Sequence, residues 1–342
     1  MNHKTLQETV RAMAAPGRGI LAADESTGTI AKRFATYKIA NDEEHRRAYR
    51  EMLFTTAGMA EFVSGVILYE ETLGQKARDG TPFPALLSRL GVVPGIKVDQ
   101  GAKDLAGASG EKITEGLDGL RERLAGYREK GARFAKWRAV ITIGAGIPSD
   151  YCIDANAHAL ARYAALCQEA DIVPIVEPEV LMDADNTIET CYDVTARTLQ
   201  SVFDELWRQR VVLELMVLKP NMVIAGKKCA QQAPVQAVAE RTLDCFHRHV
   251  PSAVPLIAFL SGGQSDEDAT AHLSAMNALG PHPWELSFSY GRALQAPSLA
   301  AWAGKADKVS AGQRAFLHRA RMNGAARRGA WKPNLEKQLV GA

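Results

Sequence analysis

Charged residues close several of the apolar runs in this chain, where a charge is costly unless it is paired or used. Phe134-Ala135-Lys136-Trp137-Arg138 sets two cations two residues apart, and Val176-Glu177-Pro178-Glu179 sets two carboxylates at the same spacing. On an extended chain, side chains at i and i+2 share one face, so each pair projects together. Neighbouring strands would then bring cations beside carboxylates. Such a group could be an ion-pair ladder, or it could be acid/base machinery with shifted proton affinities.

Leu213-Glu214-Leu215-Met216-Val217-Leu218 leads Lys219 into an apolar setting, and Pro220 stops the run. Burial and a neighbouring cation such as Lys136 are the physical route to a neutral amine near pH 7, the species that attacks a carbonyl to form a Schiff base. A phosphate-binding cation or a salt-bridged lysine would have the same local sequence. Two further run ends suit an oxyanion: Ser261-Gly262-Gly263-Gln264-Ser265 and Ser289-Tyr290-Gly291-Arg292. Glycines let backbone amides approach an anion, Ser261 adds a hydroxyl, and Arg292 adds a charged fork. Both are also ordinary turn sequences. Asp24, and Lys97 with Asp99, complete the set of polar run ends.

Something must bring these ends together. Short apolar runs begin near Gly19, Val63, Gly95, Ala135, Val173, Glu214, Pro255 and Glu285, separated by 44, 32, 40, 38, 41, 41 and 30 residues. Helical periodicity fills the gaps, as from Asp154 to Ala170 and from Thr187 to Arg210, which is enough chain for right-handed crossovers between parallel strands. Eight strand-then-helix units predict an α/β fold, a single (β/α)8 barrel domain over 1–342 with additional N- and C-terminal helical segments. An open doubly wound sheet is the structural alternative. In a barrel the C-terminal strand ends build one active site, and phosphate often binds after the seventh and eighth strands.

Composition narrows the function. Lys plus Arg (41) against Asp plus Glu (39) leaves a net charge of +2, too little for nucleic acid or an anionic membrane as the main partner. No apolar run reaches the roughly 18 residues that suggest a spanning helix. Residues 1–10 have helical spacing without a signal-peptide core, so the chain is expected in the cytoplasm. The five cysteines are odd in number and form no Cys-x-x-Cys pair, which fits buried thiols in a reducing compartment. His247 and His249 would point from different faces of a helix and read as surface residues, so no metal site is expected.

The ordered motifs resemble the class I, Schiff-base fructose-1,6-bisphosphate aldolases. They run through Gly19-Ile20-Leu21-Ala22-Ala23-Asp24-Glu25-Ser26-Thr27-Gly28, Gly95-Ile96-Lys97-Val98-Asp99, Phe134 to Arg138, Ile172 to Glu179, Leu218-Lys219-Pro220-Asn221-Met222-Val223, Phe259 to Ser265 and Phe288 to Gln295. The resemblance implies a metal-independent, cofactor-free lyase of glycolysis and gluconeogenesis. It implies that Lys219 forms the imine, Glu177 is the acid/base, Asp24 orients the C4 hydroxyl, and Lys136 and Glu179 tune and hold them. It further implies a ketose-side phosphate on Ser261, Gly262, Ser289, Gly291 and Arg292, and a far phosphate on Ser26, Thr29 and Lys97 with Arg138 nearby. Phosphorylated sugars are the implied partners, and a homo-oligomer, a tetramer in the family, the implied assembly. A Schiff-base transaldolase or another sugar-bisphosphate aldolase is the enzyme rival, and a scaffold that binds phosphorylated sugars or a protein partner without turnover is the rival of a different class. One departure stands out: animal members end in a Tyr that assists enamine protonation, whereas the last tyrosine here is Tyr290 and the tail carries Trp331.

Overall fold

Parallel pairing of the apolar runs builds the centre of the molecule. In the computed structural model, which describes residues 1–337, eight strands pair in sequence order and close on themselves. They are β1 (Gly19–Ala23), β2 (Val63–Leu68), β3 (Val93–Lys97), β4 (Phe134–Ile141), β5 (Val173–Val180), β6 (Val217–Leu218), β7 (Leu256–Phe259) and β8 (Glu285–Tyr290). Closure depends on β1, which pairs with β2 on one side and with β8 on the other, Ile20 opposite Ser289 and Leu21 opposite Tyr290. A doubly wound sheet would leave those edges open, so the barrel reading holds.

Strands covered on both faces read as near-continuous apolar runs, and β1, β2 and β5 are buried at every position, with Glu177 and Glu179 of β5 the charged exceptions. The two long crossover segments form helices Asp150–Glu169 and Ile188–Arg208. They begin behind Ser149 and Thr187, whose hydroxyls accept N–H bonds from Cys152 and Thr190 and so cap otherwise unpaired donors. The N-terminal helix His3–Met13 buries Leu6, Val10 and Met13 against residues at the N-terminal strand ends, among them Ile20, Phe134 and Val217. It covers the barrel end opposite the charged run ends.

Three details depart from the sequence reading. β3 begins at Val93, ahead of Gly95. The sixth strand spans only two residues, because Leu213–Leu215 turns as a 3-10 helix. The Gln168 side chain accounts for that turn: it donates to Val212 O (2.8 Å) and Leu215 O (3.3 Å) and accepts from Val212 N–H (3.0 Å), taking up groups a strand neighbour would otherwise bond. After β3 the chain adds a small antiparallel hairpin, Ala102–Asp104 with Lys112–Thr114.

The C-terminal segment is pinned by charge. Glu336 accepts from Arg319 Nη1 at 2.7 Å, His318 Nε2 at 2.9 Å and Trp331 Nε1 at 2.9 Å, while buried Arg319 also donates to Asp266 O at 2.9 Å. Trp331 is thus committed to this clip. Glu336→Ala would take from the buried Arg319 guanidinium its nearer carboxylate and leave it Asp266 Oδ2 at 3.7 Å, and the expected loss is about 2 kcal/mol in urea unfolding. An unchanged unfolding midpoint would show that the clip carries no stability.

Candidate active site

Every site residue singled out from the sequence lines one cleft of about 530 Å³ at the C-terminal ends of the barrel strands. Strand register explains how. Lys136 of β4 lies level with Lys97 of β3 and Ile175 of β5, and Arg138 lies level with Glu177. Long side chains in strands lean along the strand. Lys136 therefore meets Glu177, and Arg138 pairs with Glu179, each cation engaging the carboxylate two residues further along. The ion-pair ladder is real, but it is open to the cleft.

Lys136 is its hub. Its Nζ is 2.7 Å from Asp24 Oδ2, 3.4 Å from Glu177 Oε2 and 3.8 Å from Asp99 Oδ2, and the residue is 3 % exposed. Burial by itself would make this amine easier to deprotonate, yet Asp24, Glu177 and Asp99 outweigh burial and hold it charged well above the ordinary lysine range. The same balance runs in reverse at Asp24. Burial would raise its carboxyl, but Lys136, then Lys219 and Lys97, keep it ionised far below the usual carboxylate range.

Lys219 projects from the end of β6. Its N–H continues the ladder to Val176 O at 2.8 Å, and Leu260 N–H then reaches Pro220 O at 3.0 Å, so the proline falls where no donor is needed. Buried Lys219 places Nζ 3.2 Å from Glu177 Oε1. Glu177 Oε2 is buried without a hydrogen-bond partner, since its 3.4 Å approach to Lys136 lacks the alignment of a bond. One amine and one carboxylate thus face the same cavity with bonding capacity left over.

Anion-binding groups lie on two sides of that pair. After β7 and β8, Ser261 is buried, Ser289 Oγ is buried with no partner, and Arg292 donates to Gly262 O. Gly262 has φ +56, a left-handed conformation that favours glycine. Across the cleft, Ser26 caps helix Thr27–Ala35 with Thr29 one turn in, and Lys97 Nζ pairs with Asp99 Oδ1 at 2.8 Å. Among the described residues, no group of three or more His, Cys, Asp or Glu could hold a metal ion, and no helix is long and apolar enough to cross a membrane.

Residues 5–341 match the family model "Fructose-bisphosphate aldolase class-I". The chain belongs to this family. It is 57% identical to the "Probable fructose-bisphosphate aldolase class 1" of Xanthomonas campestris pv. campestris, over 97% of this chain and 100% of that one. It is 55% identical to cytosolic fructose-bisphosphate aldolase 6 of Arabidopsis thaliana, over 93% of this chain and 88% of that one. A solved fructose-bisphosphate aldolase from Plasmodium falciparum, in complex with TRAP and a small molecule inhibitor, superposes with a TM-score of 0.95 at 48% identity, covering 96% and 95% of the two chains.

The aldolase cleft also contains residues that the sequence reading passed over. Arg33 lies on the same face of helix Thr27–Ala35 as Ser26 and Thr29, a 26, 29, 33 spacing that could have flagged it. It pairs with Glu25, which also pairs with Arg50 and accepts from Gln295 Nε2 at 2.9 Å. Gln295 donates in turn to Ala22 O at 2.6 Å, so this buried network fixes the backbone on both sides of Asp24.

Buried His272 supports the loop after β7, its Nδ1 lying 2.6 Å from Gln264 Oε1 while Gln264 Nε2 donates to Ser261 O at 3.2 Å. Burial, only partly opposed by Asp268, lowers the imidazole to about 4. A neutral ring then donates from Nδ1. Because the folded value lies below the unfolded 6.5, this group costs no stability above about pH 6.5 and progressively more as pH falls toward 4. The expected loss between pH 7.5 and 5.0 is about 2 kcal/mol. Urea unfolding of the parent and of His272→Gln should show that much less acid sensitivity in the variant, and equal pH slopes would refute the assignment.

Proposed function

We propose that this aldolase cleaves fructose 1,6-bisphosphate reversibly into dihydroxyacetone phosphate and glyceraldehyde 3-phosphate through a Schiff base on Lys219. The observation that carries the reading is the buried Lys219 amine 3.2 Å from Glu177 Oε1, in a cleft with anion-binding groups on two sides. Lys219 attacks the C2 ketone, and Glu177 delivers the proton with which the carbinolamine hydroxyl leaves as water. The protonated imine withdraws electrons, so the C3–C4 bond breaks to an enamine instead of an unstabilised carbanion. Glu177 accepts the C4-hydroxyl proton as the aldehyde forms, Asp24 orients that hydroxyl, and Glu179 holds Arg138 at the mouth. The enamine then takes a proton at C3 from water or a site carboxylate, and hydrolysis of the imine releases the ketose product.

Ser261, Gly262, Ser289, Gly291 and Arg292 would hold the ketose-side phosphate, and Ser26, Thr29 and Lys97 the far one, with Arg138 beside it. Side chains supply every charge these steps use. We take the chain as one barrel domain over 1–342 acting in glycolysis and gluconeogenesis; the cytosolic Arabidopsis relatives support a cytoplasmic setting, and the homo-oligomer, a tetramer, is carried over from the family resemblance. Arg292→Ala tests the phosphate placement. It removes a charge-assisted contact worth roughly 1.5 to 3 kcal/mol, so titration with dihydroxyacetone phosphate should show affinity weakened on the order of 10- to 150-fold. Unchanged affinity would put the phosphate elsewhere.

A further inference from the structure

A second pair of charges lies against the loop after β7, carried by the loops that follow β5 and β6. Those two loops are zipped together by backbone bonds: Lys227 N–H to Met182 O at 2.8 Å, Gly226 N–H to Asn186 O at 2.8 Å, and Lys228 N–H to Ala184 O at 3.0 Å. The zipper requires glycine at 226, where a Cβ would come within 2.2 Å of Ala184 O. Both loops then press on Gly262 and Gly263. Met182 Sδ accepts the Gly263 N–H at 2.9 Å. The Lys227 chain crosses so close that a Cβ on Gly263 would meet its Cε at 1.6 Å and its Nζ at 1.8 Å. The ammonium therefore touches the backbone of the loop to which the ketose-side phosphate is assigned.

Its present partner is exposed. Lys227 Nζ is 2.9 Å from Asp183 Oδ1, and the Asp183 side chain is 68% open to solvent. Exposed ion pairs of this kind contribute little. Asp183 is held below its ordinary range first by its bond to Lys227, against the opposing effect of burial, then by the Lys227 charge and, to a lesser degree, by the charges of Arg292 and Arg138. One exposed carboxylate therefore sits in the field of Lys227 and of two cleft arginines. A bound phosphate dianion would present more charge and more acceptor oxygens to those same cations than this single carboxylate does. Arg292 likewise bonds a neutral backbone carbonyl, Gly262 O, a weaker acceptor than a phosphate oxygen.

We infer that Lys227 is a further phosphate-binding residue of this site, parked on Asp183 when the cleft is empty and transferred to the ketose-side phosphate when it is filled. The inference rests on the phosphate placement proposed above. Asp183 is then a competitor for the cation, with a negative effect on substrate affinity. Met182 plays the matching part for the loop, because a thioether is a weak acceptor and leaves the Gly263 amide available at little cost. The Lys227 ammonium also makes the site more selective for phosphorylated over neutral ketoses.

The experiment is borohydride trapping and steady-state cleavage with Lys227→Met, Lys227→Arg, Asp183→Asn and the double variant, with Arg292→Ala in parallel. Lys227→Met should raise KM for fructose 1,6-bisphosphate and half-saturation by dihydroxyacetone phosphate about fivefold, with a much smaller change in kcat. Trapping of unphosphorylated dihydroxyacetone should not change, and Lys227→Arg should restore most of the loss. Asp183→Asn should tighten dihydroxyacetone phosphate about two- to threefold, and that gain should vanish in the double variant. If Arg292→Ala weakens the phosphate and Lys227→Met does not, the inference fails while the phosphate placement stands. If neither variant weakens it, both fall together. A gain that persists in the double variant means that Asp183 acts on the arginines alone, and this also overturns the assignment of Lys227.

Discussion

Replacing Lys219 with Met is expected to abolish the borohydride-trapped adduct with dihydroxyacetone phosphate and to lower cleavage of fructose 1,6-bisphosphate by at least about 10⁴-fold, the scale of losing an activated nucleophile. A thioether cannot form an imine, whereas its length and shape fill the space of the lysine stem. The fold should survive, because Glu177 keeps Lys136 within 3.4 Å after its 3.2 Å contact with Lys219 is gone. Peptide mapping of the parent adduct should place the triose on Lys219, and trapping should proceed equally after exhaustive EDTA treatment. A full-strength adduct in the variant would remove Lys219 from the mechanism. Loss of parental activity on chelation, restored by zinc, would remove the Schiff base.

Lys136→Met should be nearly as damaging, for a different reason. Lys136 is the common cation of Asp24, Glu177 and Asp99, but Glu177 retains Lys219 and Asp99 retains Lys97. Asp24 loses its nearest partner and keeps only the field of Lys219 and Lys97, and weakening the compensation of a mostly buried carboxylate costs about 2–3 kcal/mol. The pH dependence has a definite sign. In the parent, Asp24 is depressed, so its stabilisation is present above the ordinary value of 3.8 and is lost only in stronger acid. In the variant the largest opposition to burial is gone, so the carboxyl moves up from its depressed position and the folded state takes up a proton more readily. Urea unfolding should therefore show a wide gap between parent and variant at pH 8 that narrows at pH 5. Activity should fall on the order of 10³-fold, within the range attributed to proton-transfer groups. A gap that widens on acidification would mean that Lys136 does not hold Asp24 ionised.

What the sequence determined on its own is most of the set of side chains that meet in the cleft. Lys136 and Arg138, and Glu177 and Glu179, could be read as facing sets because a strand repeats every two residues, a rule that needs no knowledge of neighbours. Lys219 could be read as a buried amine from the apolar run before it and the proline after it. The regular return of such runs pointed to a closed barrel, and a barrel gathers its strand ends at one place.

Tertiary structure decided which partner each group has. Whether Lys136 serves Asp24 or Asp99 more closely, 2.7 against 3.8 Å, depends on register between strands that lie far apart in sequence. No local pattern encodes that. The shortness of β6 arises from Gln168 on a helix before β5, and the Glu25–Arg50–Gln295 network joins residues up to 270 positions apart. The loop zipper that lays Lys227 against Gly263 is equally invisible in the sequence, where Gly226 and Lys227 lie in a segment without periodicity. Local spacing fixes which face a side chain leaves from. Ionisation depends on distances of a few ångströms to other charges, and only packing sets those.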